Sequence, residues 1–330
     1  MSTLPLSSQN TERRIELDEK YALLVNAFAP AAPMHIFNSI EFFRLHAGQD
    51  AHYFQLIERK SSAVIACMHF TATGEGYYRS PARGTFGGIS AVSALSLEQI
   101  ELFACAVENE MAQMQASRLQ IVMPPASHNP SLFANCFNVF YRRGFGIFGQ
   151  EINYDIDVSA VPLSERMDYG NRKRLNKCVR EGFTTSHLEA SRYEQAYRII
   201  ADNRLRKGYP VTMDFPSIMS MVDTFGERMR FFGAWRNQEL VAAAICIAVS
   251  EKVMSVFYWG DREGMQDYSP VVLLASAIYE HCQSGGIAIL DTGIATEAGA
   301  PNYGLIRFKR SLGFRESLKL ILTKDLPDRA

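Results

Sequence analysis

The sequence predicts an α/β fold built from two similar halves, each a mixed, largely antiparallel sheet flanked by helices. Three observations support this prediction. The 330 residues exceed one average domain and suit two. Each half shows the order hairpin, strand, helix, strand, helix, strand. Finally, Phe54–Glu58 matches Phe232–Arg236, and Phe140–Arg143 matches Phe308–Ser311. A duplicated α/β unit explains this correspondence, since a solenoid would repeat over a far shorter period.

The boundaries follow from the same order of elements. Residues 1–11 are polar and are expected to form a flexible N-terminal tail. The first domain is expected over 12–160 and the second over 161–330, with the joint between Val158 and about Arg166.

In the first half, Arg14–Phe28 has a helical pattern that stops before Pro30. Strands are expected at Tyr53–Glu58 and Ser62–Thr71. A Pro/Gly-rich stretch, Ser80–Gly88, follows. A capping box at Ser96–Gln99 predicts the start of a helix to about Gln115. A short strand over Leu119–Met123, a helix over Pro130–Arg143 and an alternating strand over Gln150–Val158 then complete the half.

The second half repeats this order. A hairpin is expected around Asn237 and Gln238, followed by a third strand over Lys252–Trp259. Ser269 and Pro270 form a favourable N-cap and first-turn pair for a helix to about Cys282. The remaining elements are a buried strand, a helix that Gly313 ends and a last strand, over Ile287–Asp291, Tyr303–Leu312 and Glu316–Thr323.

Composition narrows the class of protein. Lys and Arg number 34 against 35 Asp and Glu, a net charge of -1. This balance gives no global attraction to DNA or to an anionic membrane, so local basic clusters must bind any anion. The six cysteines are scattered without a CxxC pair, and the histidines show no metal-binding spacing. No apolar run reaches membrane-spanning length, and no signal peptide is visible. We therefore expect a cytoplasmic protein with reduced thiols, no bound metal and no transmembrane segment.

Two basic segments are candidates for binding an anion. Within Asn171–Gly182, the cations Arg172, Arg174 and Lys177 could hold a phosphate or carboxylate. The alternative is a solvated helix face. A second run ends a helix at Lys207 and Tyr209, where cations also complement the helix dipole.

Two turns could present backbone N–H groups to an anion. Ser269 follows a strand and opens a helix, an arrangement that can bind a phosphate, although an ordinary capped helix explains it equally. The glycine-rich turn Gly84–Gly88 lacks the lysine of a P-loop, and glycines that permit a tight turn explain it.

Several candidate residues cluster near the C-terminus. Asp291 ends a buried strand, where ligands gather in open α/β sheets, and its carboxylate could accept a proton or orient an amine. Tyr258 ends a neighbouring strand, and Asn302, Tyr303 and Arg307 begin the next helix. Lys309 lies at the border of the apolar stripe of that helix, so its stem should be buried and its ammonium should enter a cleft. A capping aspartate and a surface lysine are the alternatives.

The ordered set of motifs resembles proteins of the GNAT superfamily, of the Fem-like and BioF2-like type. The motifs lie between about His35 and Leu320, and they are Ser80–Gly88, Arg172–Gly182, Tyr268–Val272, Leu290–Glu297, Pro301–Lys309 and Gly313. The resemblance implies tandem GNAT-like (acyl-CoA N-acyltransferase) domains. Fem-like relatives move amino acids from aminoacyl-tRNA to peptidoglycan precursors, while others use acyl-CoA or acyl carrier protein. In the Fem-like group, a lysine at the position of Lys309 is associated with the acceptor site and reaction centre.

The chemistry expected is attack of an amine on a thioester or ester carbonyl. Lys309, Asp291, Tyr258 and Tyr303 are the predicted catalytic residues. The predicted substrate-binding residues are Arg172, Arg174, Lys177, Lys207, Tyr209, Ser269, Asn302 and Arg307. The first interpretation is an N-acyltransferase that uses an acyl-CoA or acyl carrier protein thioester, in lipid, cell-envelope or polysaccharide biosynthesis.

Two alternatives stay open. One is a Fem-like transferase that uses aminoacyl-tRNA and acts on a cell-wall precursor. The other is a non-catalytic module that binds a ligand. A clear Q/R-x-x-G-x-G/A motif for acyl-CoA is not found, which argues against a simple CoA-dependent acetyltransferase. The long helical-hairpin insertion of some tRNA-dependent members is not evident either, which argues against tRNA.

Overall fold

A computed structural model describes residues 12–31, 34–48, 50–209 and 211–327. The predicted flexible tail, residues 1–11, lies outside the described residues. The chain forms two compact units. The first unit comprises residues up to 151 together with those from 318 onward, and the second comprises residues 152–317. The predicted division into domains 12–160 and 161–330 remains a proposal.

The strands and helices of the first unit follow in chain order. They are β1 (Arg13–Glu16), β2 (Tyr21–Val25), α1 (Ile40–His46), β3 (Ala51–Glu58), β4 (Val64–Gly74), β5 (Tyr77–Ser80), β6 (Ser90–Ala91), α2 (Leu97–Gln113), β7 (Arg118–Val122) and α3 (Pro130–Arg142). Strand β8 (Gly146–Asp157) begins in this unit and ends in the second.

The second unit continues with its own elements. They are α4 (Leu163–Arg166), α5 (Tyr169–Arg180), β9 (Thr184–His187), α6 (Tyr193–Arg206), α7 (Phe215–Phe225), β10 (Met229–Arg236), β11 (Glu239–Ala248), β12 (Val253–Asp261), α8 (Pro270–Ser284), β13 (Ile289–Ile294), β14 (Thr296–Glu297), β15 (Ala300–Pro301) and α9 (Tyr303–Ser311). The last strand, β16 (Arg315–Asp325), begins in the second unit and ends in the first.

In the first unit, antiparallel strands are followed by one parallel pair. The order is β1, β2, β3, β4, β5, β7 and β16, with β5 and β7 parallel. Helix α2 connects that pair, and it begins with the predicted capping box. The Ser96 hydroxyl accepts the Gln99 N–H at 3.3 Å, and the Gln99 side chain accepts the Ser96 N–H at 2.8 Å. These two bonds satisfy N–H groups that the first helical turn would leave unpaired.

The predicted helix over Arg14–Phe28 is wrong. The chain instead forms β1 and β2, joined by a turn in which the Asp18 carboxylate accepts the N–H groups of Lys20 and Tyr21 at 2.7 Å each. Strand β2 pairs with β3 from Tyr21↔Glu58 to Val25↔Phe54. Helical spacing in a short apolar segment does not distinguish a helix from a strand that long-range pairing stabilises.

The second unit likewise combines antiparallel strands with one parallel pair. Its strand order is β8, β13, β12, β11, β10 and β9. Strands β10 and β11 form the predicted hairpin, with positive φ angles at Asn237 and Gln238, the conformation that two-residue hairpin turns favour. Strands β12 and β13 are parallel and are connected by α8. The predicted fold class, a mixed and largely antiparallel sheet with flanking helices, is confirmed.

The apolar core of the second unit lies on one face of its sheet, so polar side chains lie on the other face. Apolar side chains from β8, β12 and β13 pack with α8 on one face of the sheet, among them Tyr154, Ile156, Met254, Val256 and Leu290. Because side chains alternate along a strand, the residues between them point to the opposite face. Throughout the described ranges, no helix is both long and apolar enough to cross a bilayer.

Candidate active site

The parallel strands of the second unit part at a fork. Strands β12 and β13 pair from Val253↔Ile289 to Ser255↔Asp291. Beyond that point β12 continues along β11 to Asp261, while β13 stays paired with β8 as far as Ile294↔Asn153, across a register shift after Asp291. The carboxyl ends of parallel strands are where ligands bind in open α/β sheets. The fork is therefore the position in this unit at which a ligand is expected.

Asp291 lies at the fork and is completely buried, with 0% of its surface exposed. Its Oδ1 accepts the Asn153 amide at 3.0 Å and the Gly293 N–H at 2.6 Å. Its Oδ2 accepts the Ser255 hydroxyl at 3.2 Å. Donors from the three strands β8, β12 and β13 thus hold this carboxylate. A buried charge requires such hydrogen bonds. The bond to Gly293, whose φ is 75°, fixes the irregular end of β13, where residues 292–294 form a turn at a register shift.

Lys309 reaches the same turn from α9. It is 2% exposed, and its ammonium donates to the backbone carbonyl oxygens of three consecutive residues. The distances from Nζ are 2.8 Å to Thr292, 2.8 Å to Gly293 and 2.9 Å to Ile294. An ammonium has three hydrogens, so these carbonyls match its donors one for one. The expected buried stem is found, but the ammonium caps a backbone turn instead of entering a cleft.

Burial of Lys309 disfavours its charged form. Burial lowers the pKa of Lys309 to about 7. The negative charge of Asp291 partly opposes this lowering. The Tyr154 ring, 5.6 Å from Nζ, and the three carbonyls also favour the charged form. Perturbed ionisable groups in this setting are candidates for a functional site.

A polar row runs across the sheet face opposite the apolar core. Asn153 and Asp155 of β8, Asp291 of β13 and Ser255 of β12 belong to it, because side chains alternate along each strand. A register shift between Val256 and Tyr258 of β12 brings Tyr258 to the same face. Tyr258 is 6% exposed and its hydroxyl shares a 2.5 Å hydrogen bond with Thr212. The Arg204 guanidinium of α6 lies 5.3 Å from the centre of its ring. The row supplies hydroxyl and carboxylate groups next to the fork.

The start of α8 is built differently from the prediction. Ser269 has a left-handed conformation with φ 54°, and its side chain makes no capping hydrogen bond; its hydroxyl donates to the Gln266 carbonyl at 3.3 Å. Ser269 is the N-cap residue, as predicted, but the expected side-chain capping bond is absent. Pro270 does occupy the first turn.

Comparison with known proteins bears on these features. Residues 169–310 match the family model described as an acetyltransferase (GNAT) domain. The matched segment lies within the second unit and is called the GNAT domain below. Among curated protein sequences, no relative matches the chain. The matched residues run from the first turn of α5 to the last turn of α9, so they include the fork, Asp291 and Lys309.

Solved structures share this fold at low identity. The crystal structure of FemX is similar with a TM-score of 0.67 and 12% identity, over 88% of this chain and 92% of FemX. L-PGS from Bacillus licheniformis is similar with a TM-score of 0.58 and 13% identity, over 85% of this chain and 86% of that one. At these identities the likeness concerns the fold, and it confirms the predicted resemblance to Fem-like GNAT proteins at that level.

The other predicted residues of the GNAT domain fall into two groups. In the first, the side chains make specific contacts. Lys177 donates to the Asp267 carbonyl at 3.2 Å, and its ammonium lies 4.3 Å from the centre of the Tyr268 ring. Both partners directly precede Ser269 in the chain. Asn302 caps α9 by accepting the Leu305 N–H, and it donates to the Tyr209 hydroxyl at 2.9 Å. The bond between Asn302 and Tyr209 joins the segment that follows α6 to the start of α9.

The second group lies on the surface. Tyr303 is 66% exposed, and Arg172 and Lys207 are also exposed. Arg174 and Arg307 line one shallow depression of the GNAT domain, together with Asp168, Phe308, Arg310 and Ser311. The structure thus brings Arg174 and Arg307 together, but it places Tyr303 on the surface, away from the buried Asp291 and Lys309.

Several members of the polar row are not among the residues predicted from the sequence. Asn153, Asp155 and Ser255 lie within strands, where alternation alone could have assigned them to a polar face. Arg204, which contacts the Tyr258 ring, was part of a basic run whose cations the helix dipole already explained. In the described part of the chain, no group of three or more His, Cys, Asp or Glu residues is arranged to hold a metal ion.

Proposed function

We propose that the GNAT domain of this protein is a cytoplasmic N-acyltransferase that moves an acyl group from a thioester donor to an amine. The observation that carries the proposal is the buried pair of Lys309 and Asp291 at the fork of β12 and β13, within residues matched by an acetyltransferase family. A buried ammonium is costly to keep in a fold, and three carbonyls and a carboxylate are devoted to holding this one.

The proposed reaction is a direct transfer. The amine nitrogen attacks the thioester carbonyl carbon, and a C–N bond forms. The C–S bond then breaks, the thiolate leaves with the electron pair, and the amine loses one proton to solvent. The Tyr258 hydroxyl is assigned to protonating the leaving thiolate, and it regains a proton from solvent. The Lys309 charge, held in a low-dielectric environment beside the fork, stabilises negative charge that develops on the carbonyl oxygen.

The contacts of Asp291 support a positioning role. Its two oxygens already accept three hydrogen bonds from protein groups, and the side chain is fully buried. We therefore assign Asp291 to holding the turn around Lys309, and not to accepting the proton of the amine. A general base must reach the proton that it removes.

Cations near the fork are proposed to bind the anionic part of the donor. Lys177 contacts the segment before α8, whose first turn offers backbone N–H groups. Arg174 and Arg307 line the neighbouring depression on α5 and α9. An acyl-CoA or the phosphopantetheine arm of an acyl carrier protein supplies the phosphate that such groups bind. Aminoacyl-tRNA is the competing donor, and cell-envelope precursors are among the amine acceptors to be tested.

The experiment is a product assay by mass spectrometry. The purified protein is incubated with acyl-CoA, acyl carrier protein thioesters or aminoacyl-tRNA and with a panel of amines. A new amide from a thioester donor supports the proposal. Transfer from charged tRNA alone would replace it by a Fem-like activity. Asp291→Ala should lose the product, and Asp223→Ala on the exposed surface of α7 serves as the control. Binding of donors and amines without any product would indicate a non-catalytic module.

A further inference from the structure

Two buried carboxylates face each other next to Lys309. Asp155 of β8 and Asp291 of β13 are paired directly across the two strands. They are 5% and 0% exposed. Like charges opposite each other in a sheet repel, and burial strengthens the repulsion. Something in the structure must therefore stabilise the pair.

Asn153 lies two residues before Asp155 and contacts both acids. Its amide nitrogen donates to Asp291 Oδ1 at 3.0 Å and to Asp155 Oδ2 at 3.3 Å. Two carboxylate acceptors fix the orientation of the amide, because a rotated amide would turn its oxygen toward them. In the described structure, Asn153 Oδ1 is buried without a hydrogen-bond partner. The side chain thus leaves its acceptor unsatisfied in order to place its donor between two acids.

We propose that Asn153 is a positioning residue of the Lys309 centre, which bridges Asp155 and Asp291 and so holds Asp291 in the orientation that shapes the turn around the ammonium. The connection is a chain of hydrogen bonds. Asn153 holds Asp291, Asp291 accepts the Gly293 N–H, and the carbonyl of Gly293 is one of the three that bind Lys309. Asp291 and Gly293 lie between Asn153 and the ammonium in this chain of contacts, and Asn153 contacts no reacting atom. The effect on turnover rests on the proposed function.

The groups that face Asp291 come from each neighbouring element. Strand β8 presents Asn153 and Asp155, β12 presents Ser255, and α9 presents Lys309, whose charge interacts with that of Asp291. Loss of the bridging donor leaves two carboxylates without the amide that separates them. The pair is then expected to take up a proton at higher pH, which weakens the hold on the turn.

The test compares Asn153→Leu, which removes the donor at similar volume, with Asn153→Leu combined with Asp155→Asn. We expect Asn153→Leu to lower kcat/KM at pH 7 at least tenfold and to move the acidic limb of its pH profile upward by about one unit. In the double variant one charge is gone and a new amide faces Asp291, so the limb should return toward its original position. Ile156→Ala, on the same strand but in the apolar core, controls for lost stability.

Two further measurements keep the test decisive. Asp155→Asn alone is conservative and should move the acidic limb to lower pH. The pH dependence of unfolding, measured between pH 7 and 9, reports the Lys309 proton without any assay of turnover, so it separates failure of this inference from failure of the proposed function. Asn153→Leu should change that dependence, while Ile156→Ala should shift stability by a constant amount. Equal pH profiles for Asn153→Leu and Ile156→Ala would show that Asn153 only packs.

Discussion

Lys309 and Asp291 hold the same three-residue turn from two sides. Lys309 Nζ donates to the carbonyls of residues 292–294, and Asp291 Oδ1 accepts the N–H of Gly293, the middle residue, at 2.6 Å. The turn therefore has a cation on its oxygen side and a carboxylate on its nitrogen side. Each charge is stabilised by peptide dipoles that the other helps to orient.

The first prediction concerns pH and stability. Burial lowers the pKa of Lys309 to about 7 in the native state, whereas a lysine in an unfolded chain keeps its proton to about pH 10.4. Between these values the unfolded state binds more protons, so the free energy of unfolding should rise with pH by up to about 1.4 kcal/mol per unit. Urea unfolding of the wild type and of Lys309→Met at pH 7, 8 and 9 measures the difference. A difference that does not change with pH would show that the carbonyls keep the ammonium charged.

The second prediction separates two tyrosines. Tyr258 is buried in the polar row with its hydroxyl bonded to Thr212, while Tyr303 is largely exposed. Tyr258→Phe removes the group assigned to the leaving thiolate and should lower kcat by about tenfold or more, since general acid catalysis contributes on the order of 10²–10⁴. Tyr303→Phe should leave kcat within about twofold. Steady-state kinetics decides, and the reverse ranking would transfer the role to Tyr303.

The third prediction concerns the anion-binding cations. Replacing Arg172 and Arg174 by Gln should raise the KM for a phosphate-bearing donor and reduce its dependence on salt, because fewer screened charges contribute. Lys177 is left intact, since it also contacts the segment before α8. Arg198→Gln on α6, whose exposed side chain pairs with Glu194, is the matched control. Unchanged affinity and salt dependence in the double variant would identify this face of α5 as a solvated surface.

The fold was predictable where local signals and pairing agree. The capping box at Ser96 and the hairpin at Asn237 each follow from the chemistry of a few adjacent residues, and both are present. The segment from Arg13 to Val25 was misassigned because its strands depend on β3, which lies about thirty residues further along the chain. Local spacing contains no information about such a partner.

The candidate site shows the same limit. Lys309 and Asp291 were identified from their places in helix and strand, but the three carbonyls that bind the ammonium belong to the backbone and leave no trace in residue types. Asn153 and Asp155 come from β8, more than a hundred residues before Asp291, and only the register of β8 and β13 brings them together. The exposure of Tyr303 likewise depends on packing that sequence spacing does not define.

The most direct test of the account is the rate of acyl transfer by Lys309→Met. The substitution keeps the length of the stem and removes the charge, and it leaves three carbonyls without their donor, so some loss of stability is expected. Activity is therefore compared at a temperature where circular dichroism shows both proteins folded, with Lys252→Met on the exposed β11–β12 turn as control. The account predicts a fall in kcat of about a hundredfold, or about 3 kcal/mol in the barrier, while the control keeps its rate. A folded Lys309→Met variant with the turnover of the wild type would contradict it.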